Sequence, residues 1–198
     1  MANNTKIQNL KFTYITGSNS DSIVINNCYC SNTGVNCINI VGNNWNLYNN
    51  IFNLYHNGNG WVYMITFNNY QNIKIYNNIL ISEKGYYGGM VLFSTSNANT
   101  VFIYNNVFIR KDGNDIQFGT GFSNANFINN IFWVQPPSGC ENCVFDNNLT
   151  YNTSQNQIPY GTNGGSNNII NQNPFFINNS NNQFDWTDNF GLQSSSPC

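Results

Sequence analysis

Ile75-Tyr76-Asn77-Asn78-Ile79-Leu80 is the stretch that decides the fold, because its pattern returns all along the chain. It recurs as Leu47-Tyr48-Asn49-Asn50-Ile51-Phe52 and as Ile103-Tyr104-Asn105-Asn106-Val107-Phe108. Shorter versions are Ile25-Asn26-Asn27-Cys28-Tyr29, Ile128-Asn129-Asn130-Ile131-Phe132 and Phe145-Asp146-Asn147-Asn148-Leu149. A degraded form stands at Ile170-Asn171-Gln172-Asn173-Pro174-Phe175. The second asparagine falls at 27, 50, 78, 106, 130 and 148, so the successive steps are 23, 28, 28, 24 and 18. Low-complexity sequence would not keep the motif while varying the distance. A short motif repeated at such periods is the mark of a solenoid.

The local pattern is that of β-strands. Ile73 and Ile75, like Val101 and Ile103, alternate with other residues at period 2, and no stretch holds a helical apolar stripe over two turns. β-branched and aromatic residues dominate these runs. A second strand signal lies mid-repeat, at Trp61-Val62-Tyr63-Met64-Ile65, Met90-Val91-Leu92-Phe93 and Ile116-Gln117-Phe118. Steps of this size leave room for about three short strands and three turns per coil. Asparagine tolerates the left-handed backbone that a sharp corner between strands requires.

Composition agrees. The 198 residues include 46 asparagines but only six Lys and Arg against eight Asp and Glu, a charged share of 7%. Ordinary domains carry about 25%. Six cations cannot neutralise a run of phosphates, so a nucleic-acid binder is excluded. With 16% aromatic residues and a net charge of -2 the chain is no charged disordered tail. A-rich codons would raise lysine beside asparagine, yet lysines number five. Stacked amides satisfy polar groups without charge repulsion, which accounts for abundant Asn beside scarce Lys and Glu. The expected ladder is Asn27, Asn50, Asn78, Asn106, Asn130 and Asn148.

The Ile-x-Asn-Asn-x-Phe corner resembles that of right-handed parallel β-helix proteins of pectate-lyase-like architecture, over roughly residues 5 to 198. The run from Asn173-Pro174-Phe175-Phe176 to Leu192-Gln193-Ser194-Ser195-Ser196-Pro197-Cys198 is similar to that family's closing element. The resemblance implies an all-β fold: one domain over 1–198, a right-handed parallel β-helix of about seven to eight coils whose lengths follow the motif steps, from 18 to 28. It also implies a chain cut short at its C-terminus.

Two groups of side chains could carry function. The two equal steps of 28 place His56, Lys84 and Asp112 in one column and Tyr55, Glu83 and Lys111 in the next, with Arg110 and Asp115 beside them. These are an exposed ion-pair ladder, each pair contributing about 0.2–1 kcal/mol, or a polysaccharide site with His56 or Lys84 as base and Asp112 or Asp115 as acid or ligand. The resemblance implies carboxylate clusters for hydrolases and an Arg or Lys base with Ca²⁺ on aspartates for lyases; neither cluster is complete in this sequence. The second group is the tyrosine column Tyr48, Tyr76 and Tyr104, joined by Trp61, Tyr86 and Tyr87 as aromatic surface for glycans. Simple cross-strand stacking is the alternative.

Among the cysteines, Cys28 takes the place of Ile51 and Ile79 as a small core residue, with Cys37 able to approach Cys28 and Cys30. Cys140 and Cys143 form a C-x-x-C pair in a turn-like loop, read as a local disulfide or two free thiols; a metal site is not expected. No charged and apolar leader follows Met1, and no run approaches the roughly 18 apolar residues of a membrane span. Acceptor sequons stand at Asn3, Asn148, Asn152 and Asn178.

The expectation is therefore a non-catalytic extracellular or surface β-helix, structural or adhesive, that binds a polysaccharide or cell-surface glycan, with no resident cofactor. Open solenoid ends allow end-to-end fibres or trimers. The alternatives are a polysaccharide lyase or glycoside hydrolase, which as a lyase would use Ca²⁺, and a viral tailspike-type receptor-binding segment.

Overall fold

Alternation decides which side of each strand turns inward. In Val101–Tyr104, Val101 and Ile103 are fully buried while Phe102 and Tyr104 are half-buried on the outer face. A computed structural model describes residues 4–32, 36–55, 62–84, 90–94, 101–110, 116–133, 137–141, 143–151, 165–178 and 189–198. Among them there is no helix, and the strands stack as parallel sheets of a β-solenoid.

Sheet A has seven strands: Lys6–Gln8, Val24–Asn26, Asn46–Tyr48, Ile73–Tyr76, Val101–Tyr104, Ala125–Ile128 and Val144–Asp146. Sheet B has seven as well: Lys11–Phe12, Tyr29–Asn32, Ile51–Tyr55, Ile79–Lys84, Val107–Arg110, Ile131–Trp133 and Leu149–Tyr151. Sheet C has four: Ile15–Gly17, Ile38–Asn43, Ile65–Gln71 and Val91–Ser94. Ile116–Ser123 and Pro137–Glu141 pair separately.

Seven to eight complete coils were expected; about three turns are complete. The four strands of sheet C bound that interval, because all three faces join in one continuous set only there. The remaining coils keep sheets A and B and vary on the third side, where the repeat length varies too.

Register columns build the core. Ile25, Leu47, Ile75, Ile103, Phe127 and Phe145 lie one above another on the inner face of sheet A, each at most 1% exposed. Rings stack in the same way: Phe127 on Phe145 at 4.5 Å, Phe108 on Phe132 at 5.2 Å, Phe67 on Phe93 at 5.1 Å. The spacing matches the strand separation of about 4.8 Å, so each aromatic meets its own kind at contact distance.

The corner between sheets A and B explains the Asn-Asn pair. Its first residue takes the left-handed conformation, with φ of 52 to 58° at Asn27, Asn49, Asn77, Asn105, Asn129, Asn147 and Asn167. The second turns its amide inward. Asn78 Oδ1 accepts from Asn50 N at 3.0 Å and from Asn50 Nδ2 at 2.9 Å. Asn78 Nδ2 donates to Leu47 O at 2.8 Å, Tyr76 O at 3.0 Å and Asn106 Oδ1 at 3.1 Å. The same pattern links Asn106 to Asn130, Asn130 to Asn148 and Asn148 to Asn168.

Two expected positions are corrected. Asn27 is not in the buried ladder: pairing of Tyr29 with Ile51 places it level with Asn49, exposed at the corner. Cys28 fills the rung, its backbone N–H donating to Asn50 Oδ1 at 3.0 Å. At the other end the rung is Asn168, so the last repeat is Asn167-Asn168-Ile169 rather than Asn171-Gln172-Asn173. Asn148 is fully buried in the ladder, which removes it as a glycan acceptor. Sequence reading also missed a second left-handed corner, where the chain enters sheet A: at Asn44 and Asn72 it leaves sheet C, and at Asn124 it leaves the Ile116–Ser123 strand. There Asn72 Nδ2 donates to Asn44 Oδ1 at 3.0 Å. Just before it, Gly42 has φ +144°, and a Cβ there would collide with the Ser20 carbonyl.

The C-terminal segment adds no coil. Phe176–Asn178 and Asn189–Leu192 form an antiparallel pair over the outer face of sheet B. Phe176 and Phe190 join Ile81, Ile109, Ile131, Trp133 and Leu149 in a second apolar cluster.

Asn78→Ala should cost about 3 kcal/mol in denaturant unfolding, because it leaves the Asn50 N–H and the Leu47 carbonyl buried without their partner. Asn78→Asp should cost at least as much at neutral pH, since it sets an oxygen against three acceptors. Asn77→Gly should change stability by less than about 1 kcal/mol, whereas Asn77→Val should cost more, because φ near 54° resists a β-branched residue.

Candidate functional site

The outer face of sheet A carries the tyrosine column. Pairing of Tyr48 with Tyr76 and of Tyr76 with Tyr104 puts the three side chains in register. The Tyr48 and Tyr76 rings lie 4.9 Å apart at 10°, and those of Tyr76 and Tyr104 4.8 Å apart at 3°. Desolvation raises the phenol pKa of Tyr76, with smaller contributions from Tyr104 and Tyr48, and desolvation alone raises that of Tyr104.

This geometry bears on ligand chemistry. Rings stacked face to face cover each other, and the rungs beyond the outermost rings are taken by Asn26 next to Tyr48 and Ile128 next to Tyr104. What the column offers along its length is a row of ring edges and phenol oxygens at strand spacing. Beside it runs the outward column Asn46, Lys74, Phe102, in register. A groove of about 450 Å³ between that column and the outer corner is lined by Asn44, Asn46, Asn72, Lys74 and Phe102. Amides, one ammonium group and aromatic edges thus share one face. Trp61, Tyr86 and Tyr87 lie outside the described residues.

Most of the expected charged column falls outside what the structure describes. His56, Asp112, Asp115 and Lys111 lie outside the described residues. Lys84 sits opposite Tyr55 rather than His56, because the register shifts between Ser82 and Lys84. One extra residue at such an irregularity moves everything after it out of step with a constant repeat. Arg110, at the end of its strand, is 2% exposed and therefore part of the interior rather than of an exposed ladder. Its guanidinium pulls down the pKa of Tyr63, against a larger upward push from burial. No group of three or more His, Cys, Asp or Glu side chains that could hold a metal occurs among the described residues.

A second groove, which sequence reading missed, follows the Asn-Asn corner. Near the C-terminal end it encloses about 680 Å³ between Asn105, Asn129, Asn147, Val107 and Ile131 on one side and Phe190–Leu192 on the other. At the other end Asn27, Asn49, Tyr29 and Ile51 line about 660 Å³ of the same corner. The signal lay in the first asparagine of each pair, whose left-handed backbone points its amide outward.

Cys143 is buried and disulfide-bonded. Cys28, Cys30 and Cys37 are buried free thiols.

Comparison of the chain with protein-family models, curated proteins and solved structures finds no match. What defines the protein is therefore its own architecture: a parallel β-solenoid with one amide-laddered corner and one tyrosine-laddered face.

Alkaline titration should reveal the buried phenols. Tyr70 is 3% exposed, packed against Phe67 and Phe93, and its pKa is pushed up to about 12 by burial. A phenol with a raised folded pKa favours the folded state below its unfolded value of about 10 and loses that contribution as pH climbs through the folded value. Stability should thus fall between pH 10 and about 12, and phenolate absorbance should lag that of unfolded chain. In Tyr70→Phe the lag should shrink.

Proposed function

We propose that this chain is a non-catalytic, extracellular β-solenoid, a structural or adhesive segment that binds polysaccharide along the outer face of sheet A. The observation that carries this reading is the tyrosine column, held in register over three coils and flanked by Asn46, Lys74 and Phe102. A glycan presents repeated hydroxyls and small apolar faces. The sheet presents repeated phenol oxygens, amides and aromatic edges in straight rows, on a backbone that each neighbouring coil holds rigid.

Two further features support it. A disulfide at Cys143 suits an oxidising compartment. The buried asparagines are engaged in the ladder, so they hold up the face and do not act as chemical groups. The right-handed coil of the pectate-lyase-like architecture belongs to the same proposal; it agrees with the general handedness of parallel crossovers.

The test is retention on insoluble and gel-immobilised pectins, alginates, glucans and host-surface polysaccharides. Retention on at least one neutral or acidic glycan is expected. The triple variant Tyr48→Phe, Tyr76→Phe, Tyr104→Phe should keep the ring stack and melting behaviour but bind about tenfold more weakly, the effect of losing roughly 1.4 kcal/mol of hydrogen bonding. Unchanged binding would move the site off this face. New reducing ends or unsaturated products in the same samples, with or without Ca²⁺, would overturn the non-catalytic reading.

A further inference from the structure

Three buried thiols lie near the N-terminal end of the solenoid, and their surroundings separate them. Cys28 stands at the amide-ladder corner, its Sγ 3.3 Å from the Asn26 carbonyl oxygen and 3.8 Å from that of Ile7. Cys30 serves the next corner, between sheets B and C, where its Sγ lies 3.4 Å from the Thr13 carbonyl. Cys37 reaches that corner from the other side. Its carbonyl accepts from Ile15 N at 2.9 Å, and its own N–H donates to Met64 O at 2.9 Å. Asn32 ties the corner together, donating from Nδ2 to Thr13 O at 2.5 Å and to Asn36 O at 3.4 Å. Cys30 and Cys37 are both fully buried in the same core cluster, and the Asn32 amide bridges from the Thr13 carbonyl beside the Cys30 sulfur to the Asn36 carbonyl next to Cys37.

We propose that Cys30 and Cys37 are a disulfide-forming pair that closes the turn between sheets B and C, with Cys28 left as a thiol. The two are near neighbours in sequence, they flank one corner in the same buried cluster, and the Thr13 carbonyl holds the Cys30 sulfur there. Cys28 is excluded because its sulfur is engaged at the opposite end of the strand. The same chain already carries a disulfide at Cys143, so oxidation of a second pair requires no change of environment.

The oxidant is a small disulfide, for which oxidised glutathione is the probe. One cysteine loses its proton and its sulfur attacks the oxidant's S–S bond, giving a mixed disulfide and one glutathione thiol. The partner cysteine then loses its proton and attacks the protein sulfur of that mixed disulfide, forming the Cys30–Cys37 bond and releasing the second glutathione. The two cysteines give up two electrons and two protons, which appear in two glutathione thiols. In the closed coil the hydrogen bond with Cys30, then burial, hold the Cys37 thiol well above its ordinary pKa. Attack needs a thiolate, so the bond forms while the coil is still open, during folding.

The whole chain, reduced and unfolded, is refolded with oxidised glutathione, unfolded again, alkylated and digested with chymotrypsin. Cleavage after Tyr29 and after Trp45 places Cys30 and Cys37 on one peptide, 30–45, and Cys28 on another. The expected result is a 30–45 peptide lighter by two hydrogen atoms and free of alkyl groups, beside an alkylated Cys28. Alkylation of both Cys30 and Cys37, or a bond from either to Cys28 or Cys198, would overturn the proposal. Melting gives a second readout: in a Cys143→Ala background, which removes the other disulfide, the oxidised chain should melt higher than the reduced chain, and equal melting would overturn the claim that the pair closes the turn.

Discussion

Everything in this molecule rests on one constraint: a sharp corner between two parallel strands buries polar backbone that no neighbouring strand can satisfy. The asparagine amide resolves it. Each amide is both donor and acceptor, fits the space of one rung, and meets the next amide at about strand spacing. A charged residue could not repeat at that distance without repulsion, and an apolar one would leave the Leu47, Ile75 and Ile103 carbonyls without donors. The low charge and the high asparagine content are one fact seen twice. Once the corner is set, strands A and B are in register, and the core columns and the tyrosine column follow.

The motif Ile-x-Asn-Asn-x-Phe was enough to read parallel stacking, the laddered corner and the tyrosine column, because each depends on a local repeat. The number of complete turns was not legible, since sheet C forms from mid-repeat segments of variable length that carry no fixed motif. The ladder's ends were misread for a related reason. At Asn26-Asn27-Cys28 the pair is shifted one place, so the motif names the left-handed residue while a cysteine takes the rung. At Asn171-Gln172-Asn173 the run before Pro174 resembled the motif, but hydrogen bonding selects Asn168.

The candidate site was legible only in part. Counting by the motif step located Tyr48, Tyr76 and Tyr104 because those coils are uninterrupted. The same count failed at Lys84, where an irregular register inserts a residue before the turn. Spacing arithmetic holds within regular strands and breaks where their register becomes irregular. The corner groove escaped for another reason: its lining asparagines looked identical to the buried ones until backbone geometry divided each pair into an outward and an inward member.

The ladder also has a direction. Asn50 donates to Asn78, Asn78 to Asn106, Asn106 to Asn130, Asn130 to Asn148 and Asn148 to Asn168, always from nitrogen to the oxygen of the coil that follows. Six amide dipoles therefore point the same way along the axis, as peptide dipoles do in an α-helix. Chains of hydrogen bonds polarise one another when aligned, so a rung at the centre is strengthened from both sides and a terminal rung from one. The solenoid is accordingly a polar rod, with the amide N–H ends toward its C-terminal coils and the carbonyl ends toward its N-terminal coils, although no charged side chain takes part.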